Sequence, residues 1–149
     1  MNTLIKLATA VALSTALLAC GGGASSPALA TDSSGSAGVT TLQSTDTVAG
    51  TGATATPGTT LSVTYTGYLY DAKIVTFKGK SFDTGTISFR LGSGQVIAGW
   101  DQGIAGMRIG GKRTLIIPAS LAYGATGAGS GLIPANAALV FDVELKSVD

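Results

Sequence analysis

The chain has no histidine at all and only one cysteine, Cys20. Without histidine there are no Ser-His or Cys-His nucleophile pairs, no imidazole acid–base chemistry and no histidine-containing zinc site. Most ordinary hydrolase readings end there. Charge is scarce too, at 11% of residues against 45% hydrophobic, so a core is easily supplied. The formal charge is +1, and loss of Lys6 with a cleaved leader would leave the two signs equal. A neutral body lacks the basic face that nucleic-acid binding requires. Long apolar runs are missing beyond the N-terminus, where the one present is too short to span a bilayer comfortably. The remainder alternates or breaks at glycine, and 149 residues make one domain with extras.

The exception at the N-terminus is informative. Leu4 to Ala19 is a compact apolar segment with Lys6 as its only charge, which reads as a secretory signal over residues 1–19. Leu17-Leu18-Ala19-Cys20 resembles a bacterial lipobox, in which Cys20 becomes the acylated N-terminus. The competing reading is an ordinary leader cut after Ala28-Leu29-Ala30. Gly22 stands where an aspartate commonly signals inner-membrane retention in such lipoproteins, so the resemblance implies the outer membrane of the cell envelope. The domain then faces the periplasm or the exterior. Residues 20–38 are expected to be a flexible tether, because Gly, Ser, Ala, Thr and Pro cannot bury enough apolar surface to offset their ordering entropy.

Residues 39–149 carry the folded domain. Val39 to Val48 is a strand candidate, and Pro57-Gly58 marks a turn. Leu61, Val63, Tyr65 and Leu69 alternate with polar positions, the pattern of a half-buried strand with Tyr65 pointing inward. Asp71 to Lys80 reads as an excursion within the sheet, its lysines a solvated face. Phe82-Asp83-Thr84-Gly85 precedes a strand from Thr86 to Leu91, and Val96 to Ile104 forms one short helix. Gly99 and Gly103 each cost that helix about 1 kcal/mol relative to alanine, so packing must hold it. Lys112 to Ile117 and Ala138 to Val148 are further strands, and Arg108, Lys112 and Arg113 read as solvated. The expected fold is α+β, an antiparallel sheet of five or six strands with one short helix and a hollow between them.

That hollow has candidate walls. Tyr65, Phe82, Phe141, Trp100 and Tyr123, with the carboxylate of Asp83, make an aromatic-lined pocket. Asp83 either orients substrate or Tyr65, or bonds local N–H groups in a turn.

Five motifs, in order and near family spacing, resemble the FKBP-type peptidyl-prolyl cis-trans isomerases. They are Val63-Thr64-Tyr65-Thr66-Gly67, Phe82-Asp83, Gln95-Val96-Ile97-Ala98-Gly99-Trp100, Ala122-Tyr123-Gly124 and Leu139-Val140-Phe141-Asp142-Val143-Glu144-Leu145. The resemblance implies a curved antiparallel sheet wrapped around a short helix. Its pocket would comprise Tyr65, Phe82, Asp83, Val96, Ile97, Trp100, Tyr123, Ile133 and Phe141, with Ile87 and Leu132 at the rim. Trp100 would be the floor for a proline ring, and the Ile97 N–H and Tyr123 hydroxyl would donate to ligand carbonyls. Ile87 stands where many members carry phenylalanine, and Leu132 where isoleucine is common.

The implied activity needs no cofactor and no metal. It rotates X-Pro bonds in exported polypeptides by non-covalent means, and a macrolide inhibitor is an implied ligand. A rival reading is a non-catalytic module or chaperone that holds proline-containing segments. Another is a surface lipoprotein that contacts partners through the Asp71–Lys80 loop. No long dimerising helix is visible, so a monomer is expected.

Overall fold

A computed structural model describes residues 33–149. The expected signal segment, Cys20 and most of the expected tether lie outside these residues. Five strands form one antiparallel sheet: β1 (Gln43–Val48), β2 (Thr60–Tyr70), β3 (Lys78–Arg90), β4 (Lys112–Ile117) and β5 (Leu139–Val148). They lie side by side in the order β1-β4-β5-β2-β3. One helix, α1 (Ala98–Gly103), connects β3 to β4. The expected α+β fold, a curved sheet around a short helix, is the one observed. Among the described residues no helix is long and apolar enough to cross a membrane.

Alternation builds the core. In β5, Leu139, Phe141, Val143 and Leu145 are buried while Asp142 and Glu144 are only partly so. In β2, Leu61, Val63 and Tyr65 face the same interior. Both strands sit centrally, paired in register through Tyr65↔Val143 and Gly67↔Phe141.

Several boundaries differ from expectation. β3 begins at Lys78, not Thr86, because the ladder with β2 continues through Gly67↔Asp83 and Tyr70↔Lys78 by way of two bulges. Turn-like composition at Phe82-Asp83-Thr84-Gly85 is overridden by cross-strand pairing. β1 starts at Gln43 instead of Val39, and α1 at Ala98 because Ile97 is still extended. Residues 33–38, expected as the end of the tether, lie against the domain. Ala72 N–H donates to the Ser34 carbonyl at 2.8 Å, and Ser36 is buried.

Two cations expected in solvent are structural. The Arg113 guanidinium forks onto both carboxylate oxygens of Asp46 in β1. Its third nitrogen donates to the carbonyls of Gly103 (2.7 Å) and Ala105 (3.2 Å) at the C-terminal end of α1. One side chain thus ties helix, β4 and β1 together, and its hydrogen bonds, with its charge, hold the Asp46 carboxyl below the usual carboxylate range. Lys78 donates to Asp142 at 2.7 Å, and the other Asp142 oxygen accepts from Thr114.

The helix lies very close to β4. A Cβ on Gly99 would overlap Ile117 Cγ2 and fall 2.9 Å from its Cδ1. Gly99→Ala should therefore destabilise the fold by about 1–3 kcal/mol through overpacking, despite alanine's better helix propensity. Urea unfolding checks this; a midpoint equal to or above that of the parent would contradict the packing described.

Candidate active site

Trp100, carried on α1, is fully buried at the centre of an aromatic cluster. Tyr65 of β2 meets it edge-on, ring centroids 5.2 Å apart at 75°. Phe141 of β5 meets it at 5.3 Å and 89°. Phe82 of β3 stands at 90° to Phe141, 5.6 Å away. Edge-to-face contacts of this kind bring a ring's positive rim to its neighbour's negative face, worth about 0.5–1.5 kcal/mol each beyond burial. The Phe82–Phe141 contact depends on Gly67. A Cβ there would lie 2.6 Å from Phe82 Cζ and 2.7 Å from Phe141 Cε1.

Polar side chains fix the turn that leads into α1. Asp101 accepts the N–H groups of Gly92 (2.8 Å) and Gly94 (3.2 Å), and Gln95 Oε1 accepts that of Arg90 (2.8 Å). Val96 and Ile97 are thereby buried against the cluster, together with Ile133 from the loop before β5. The Ile97 N–H, one residue before the helix, finds no acceptor among the described residues.

Asp83 resolves both of its alternatives at once. The Tyr65 hydroxyl donates to its Oδ2 at 2.7 Å, and the Thr84 N–H donates to its Oδ1 at 2.9 Å. Burial first, then the hydrogen bond and charge of Asp83, push the Tyr65 phenol well above its ordinary range. The Tyr123 phenol is raised as well, by burial and then by the charge of Asp83. Tyr123 Oη and Trp100 Nε1 are both buried and without a hydrogen-bond partner among the described residues. A buried donor left unpaired costs about 1–3 kcal/mol, so two beside one cluster point to a ligand-binding place.

The structure therefore brings together Tyr65, Phe82, Asp83, Val96, Ile97, Trp100, Ile133 and Phe141, with Tyr123 close enough to feel the Asp83 charge. Ile87 is buried in the same core on β3, paired across to Val63. Leu132 is 38% exposed. Sequence reading missed Phe89, whose ring tilts against Trp100 at 5.8 Å. Its alternation with Ile87 and Leu91 was the available signal. It missed too the turn-fixing roles of Gln95 and Asp101. An apolar aromatic surface ringed by unpaired donors suits a ligand that brings an apolar ring and carbonyl acceptors.

The raised Tyr65 phenol has a consequence at high pH. Folded protein holds that proton more tightly than unfolded chain, so its stabilising contribution is complete below the unfolded pKa near 10 and is lost as pH rises toward the folded value. Unfolding free energy should therefore fall as pH rises above roughly 10. Comparing the slope of unfolding free energy against pH for the parent and Tyr65→Phe checks this; equal slopes would contradict it.

Comparison with known proteins agrees with the geometry. The family described as FKBP-type peptidyl-prolyl cis-trans isomerase matches residues 52–146. FK506-binding protein 2 of Candida glabrata is 54% identical over 99 residues, covering 63% of this chain and 68% of that protein. The peptidyl-prolyl cis-trans isomerase FPR2 of Saccharomyces cerevisiae is 53% identical over 95 residues, covering 63% of this chain and 68% of its own. The crystal structure of a peptidyl-prolyl cis-trans isomerase from Pseudomonas syringae superposes with a TM-score of 0.61 at 37% identity, covering 72% of this chain and 75% of that one.

Proposed function

We propose, from the premise that the chain belongs to the FKBP-type peptidyl-prolyl cis-trans isomerase family, that it serves exported proteins from a lipid anchor in the cell envelope. Its activity is the isomerisation of X-Pro bonds. That reaction rotates an amide whose partial double bond sets a barrier of about 18–20 kcal/mol. No bond to the substrate need form, so a site without histidine or thiol suffices.

The single observation that carries the site assignment is the buried Trp100 ring walled by Tyr65 and Phe141, with Phe82 packed on Phe141, beside unpaired donors. Trp100 acts as the floor for the proline ring. The planar amide is more polar than the twisted one, so a water-poor aromatic cup disfavours the ground state. The Ile97 N–H and the Tyr123 hydroxyl hold substrate carbonyls in the twisted geometry, which is binding spent on the transition state. Asp83 acts through Tyr65, holding that ring edge-on to Trp100. Relatives named for FK506 binding support a macrolide of that type as a competing ligand.

The envelope placement draws on the apolar Leu4–Ala19 segment, Cys20 and the small-residue stretch behind it. Acylated Cys20 would hold a monomeric domain to the outer membrane. Membrane fractions should carry the parent and lose the Cys20→Ala variant, with acyl mass on the Cys20-bearing N-terminal peptide. An unmodified Cys20 would remove the lipid anchor.

Tyr123→Phe should fold as the parent does and lower kcat/KM for an X-Pro peptide about tenfold, the effect of roughly 1.4 kcal/mol from one lost hydrogen bond in the transition state. A protease-coupled isomerisation assay reads this. Undiminished kcat/KM would remove the Tyr123 hydroxyl from the site.

A further inference from the structure

Five large apolar side chains are at least about a third exposed among the described residues, and three of them, Ile74, Val75 and Phe77, fall in one turn between β2 and β3. Val75 is 95% exposed. The turn is not loose. Asp71 N–H donates to the Phe77 carbonyl (3.0 Å), Phe77 N–H to that of Ile74 (2.8 Å), and Lys73 N–H to Asp71 Oδ1 (2.9 Å). Phe77 takes a left-handed backbone, φ 58°, and is held there by stacking on Tyr70 at 5.4 Å and 10°. Such a tip normally carries Gly, Asn or Asp. Here the fold maintains an apolar protrusion that adds nothing to its core.

Cations flank that protrusion. Lys78 is committed to Asp142, but Lys73 and Lys80 make no ion pair among the described residues. The only carboxylate within residues 71–80 is Asp71, already bonded to the turn's own backbone. The turn's base is also where the chain enters the domain, since Ala72 N–H donates to the Ser34 carbonyl. Cys20 lies 13 residues before Ser33 in the sequence.

We infer that the turn at residues 71–77 is a membrane-surface contact. Ile74, Val75 and Phe77 seat in the headgroup region of an anionic bilayer, and Lys73 and Lys80 meet its phosphates. A convex tip with basic flanks suits a lipid surface better than a groove-seeking partner, and an anchor entering at its base keeps the tip at high effective concentration beside the bilayer. The inference rests on the anchored reading of Cys20 for this geometry. Its effect is to fix the orientation of the domain, so that the aromatic cup is presented at a constant height above the membrane.

The test places a reporter at the tip. The full chain bearing Val75→Trp, purified from bacterial membranes, is mixed with vesicles of phosphatidylethanolamine and phosphatidylglycerol carrying brominated acyl chains. Fluorescence added by the new side chain should be strongly quenched, while that of the fully buried Trp100 in the parent is not. Adding Lys73→Glu and Lys80→Glu should relieve the quenching, and isomerase activity should stay at the parental level throughout. Vesicle flotation with unquenched fluorescence would overturn the contact while leaving the anchor intact. Quenching retained in Cys20→Ala would uphold the contact and show that it forms without the anchor. A tip that responds to an unfolded polypeptide and not to vesicles would overturn the inference in favour of a protein contact.

Discussion

Trp100 reaches the interior of the sheet only because α1 lies almost directly on β4, an approach that the missing side chain of Gly99 allows. From that seat the other contacts follow. Tyr65, Phe141 and Phe89 close on the indole from three strands, and Phe82 closes on Phe141 in the space left at Gly67. A helix of six residues has little stability of its own, so packing and Arg113 must hold it in place. The fork of Arg113 onto Asp46 also makes β1, an edge strand, part of the support for the site. The proposed site and the stability of the fold in this way depend on one aromatic cluster.

Much of this was legible in the residues. Alternation in β2 and β5 announced two central strands and put Tyr65 and Phe141 inside, because burial on one face forces period two, although Val140 on the other face of β5 is buried as well. The Val96-to-Trp100 motif placed the indole. What composition concealed was set by long-range pairing. Phe82 and Asp83 belong to a strand although Asp-Thr-Gly reads as a turn, since β2 offers partners as far as Tyr70. Arg113 and Lys78 looked solvated because their partners, Asp46 and Asp142, are 67 and 64 positions away in sequence. The packing of residues 34–38 on the Ala72 region was equally invisible, because glycine- and serine-rich composition carries no sign of a docking place.

Scarcity of charge shapes the whole molecule. Most ionised groups in the domain are paired or bonded to backbone on the outer face and edges, which leaves the interior free of formal charge apart from Asp83 at the rim of the cluster. Asp83 is tolerated there because Tyr65 and the Thr84 N–H satisfy its oxygens. An interior of this kind can weaken a planar amide's solvation without offering any group that would react with it.

The central claim is therefore that X-Pro rotation is accelerated by shape and desolvation alone, with no proton moved. Exchange of an X-Pro peptide, followed by NMR with the full chain present from about pH 6 to about pH 9 in water and in heavy water, tests it most directly. The account predicts clear acceleration that is level across that range and equal in the two solvents. A bell-shaped or stepped profile, a solvent isotope effect, or no acceleration by folded protein would contradict it.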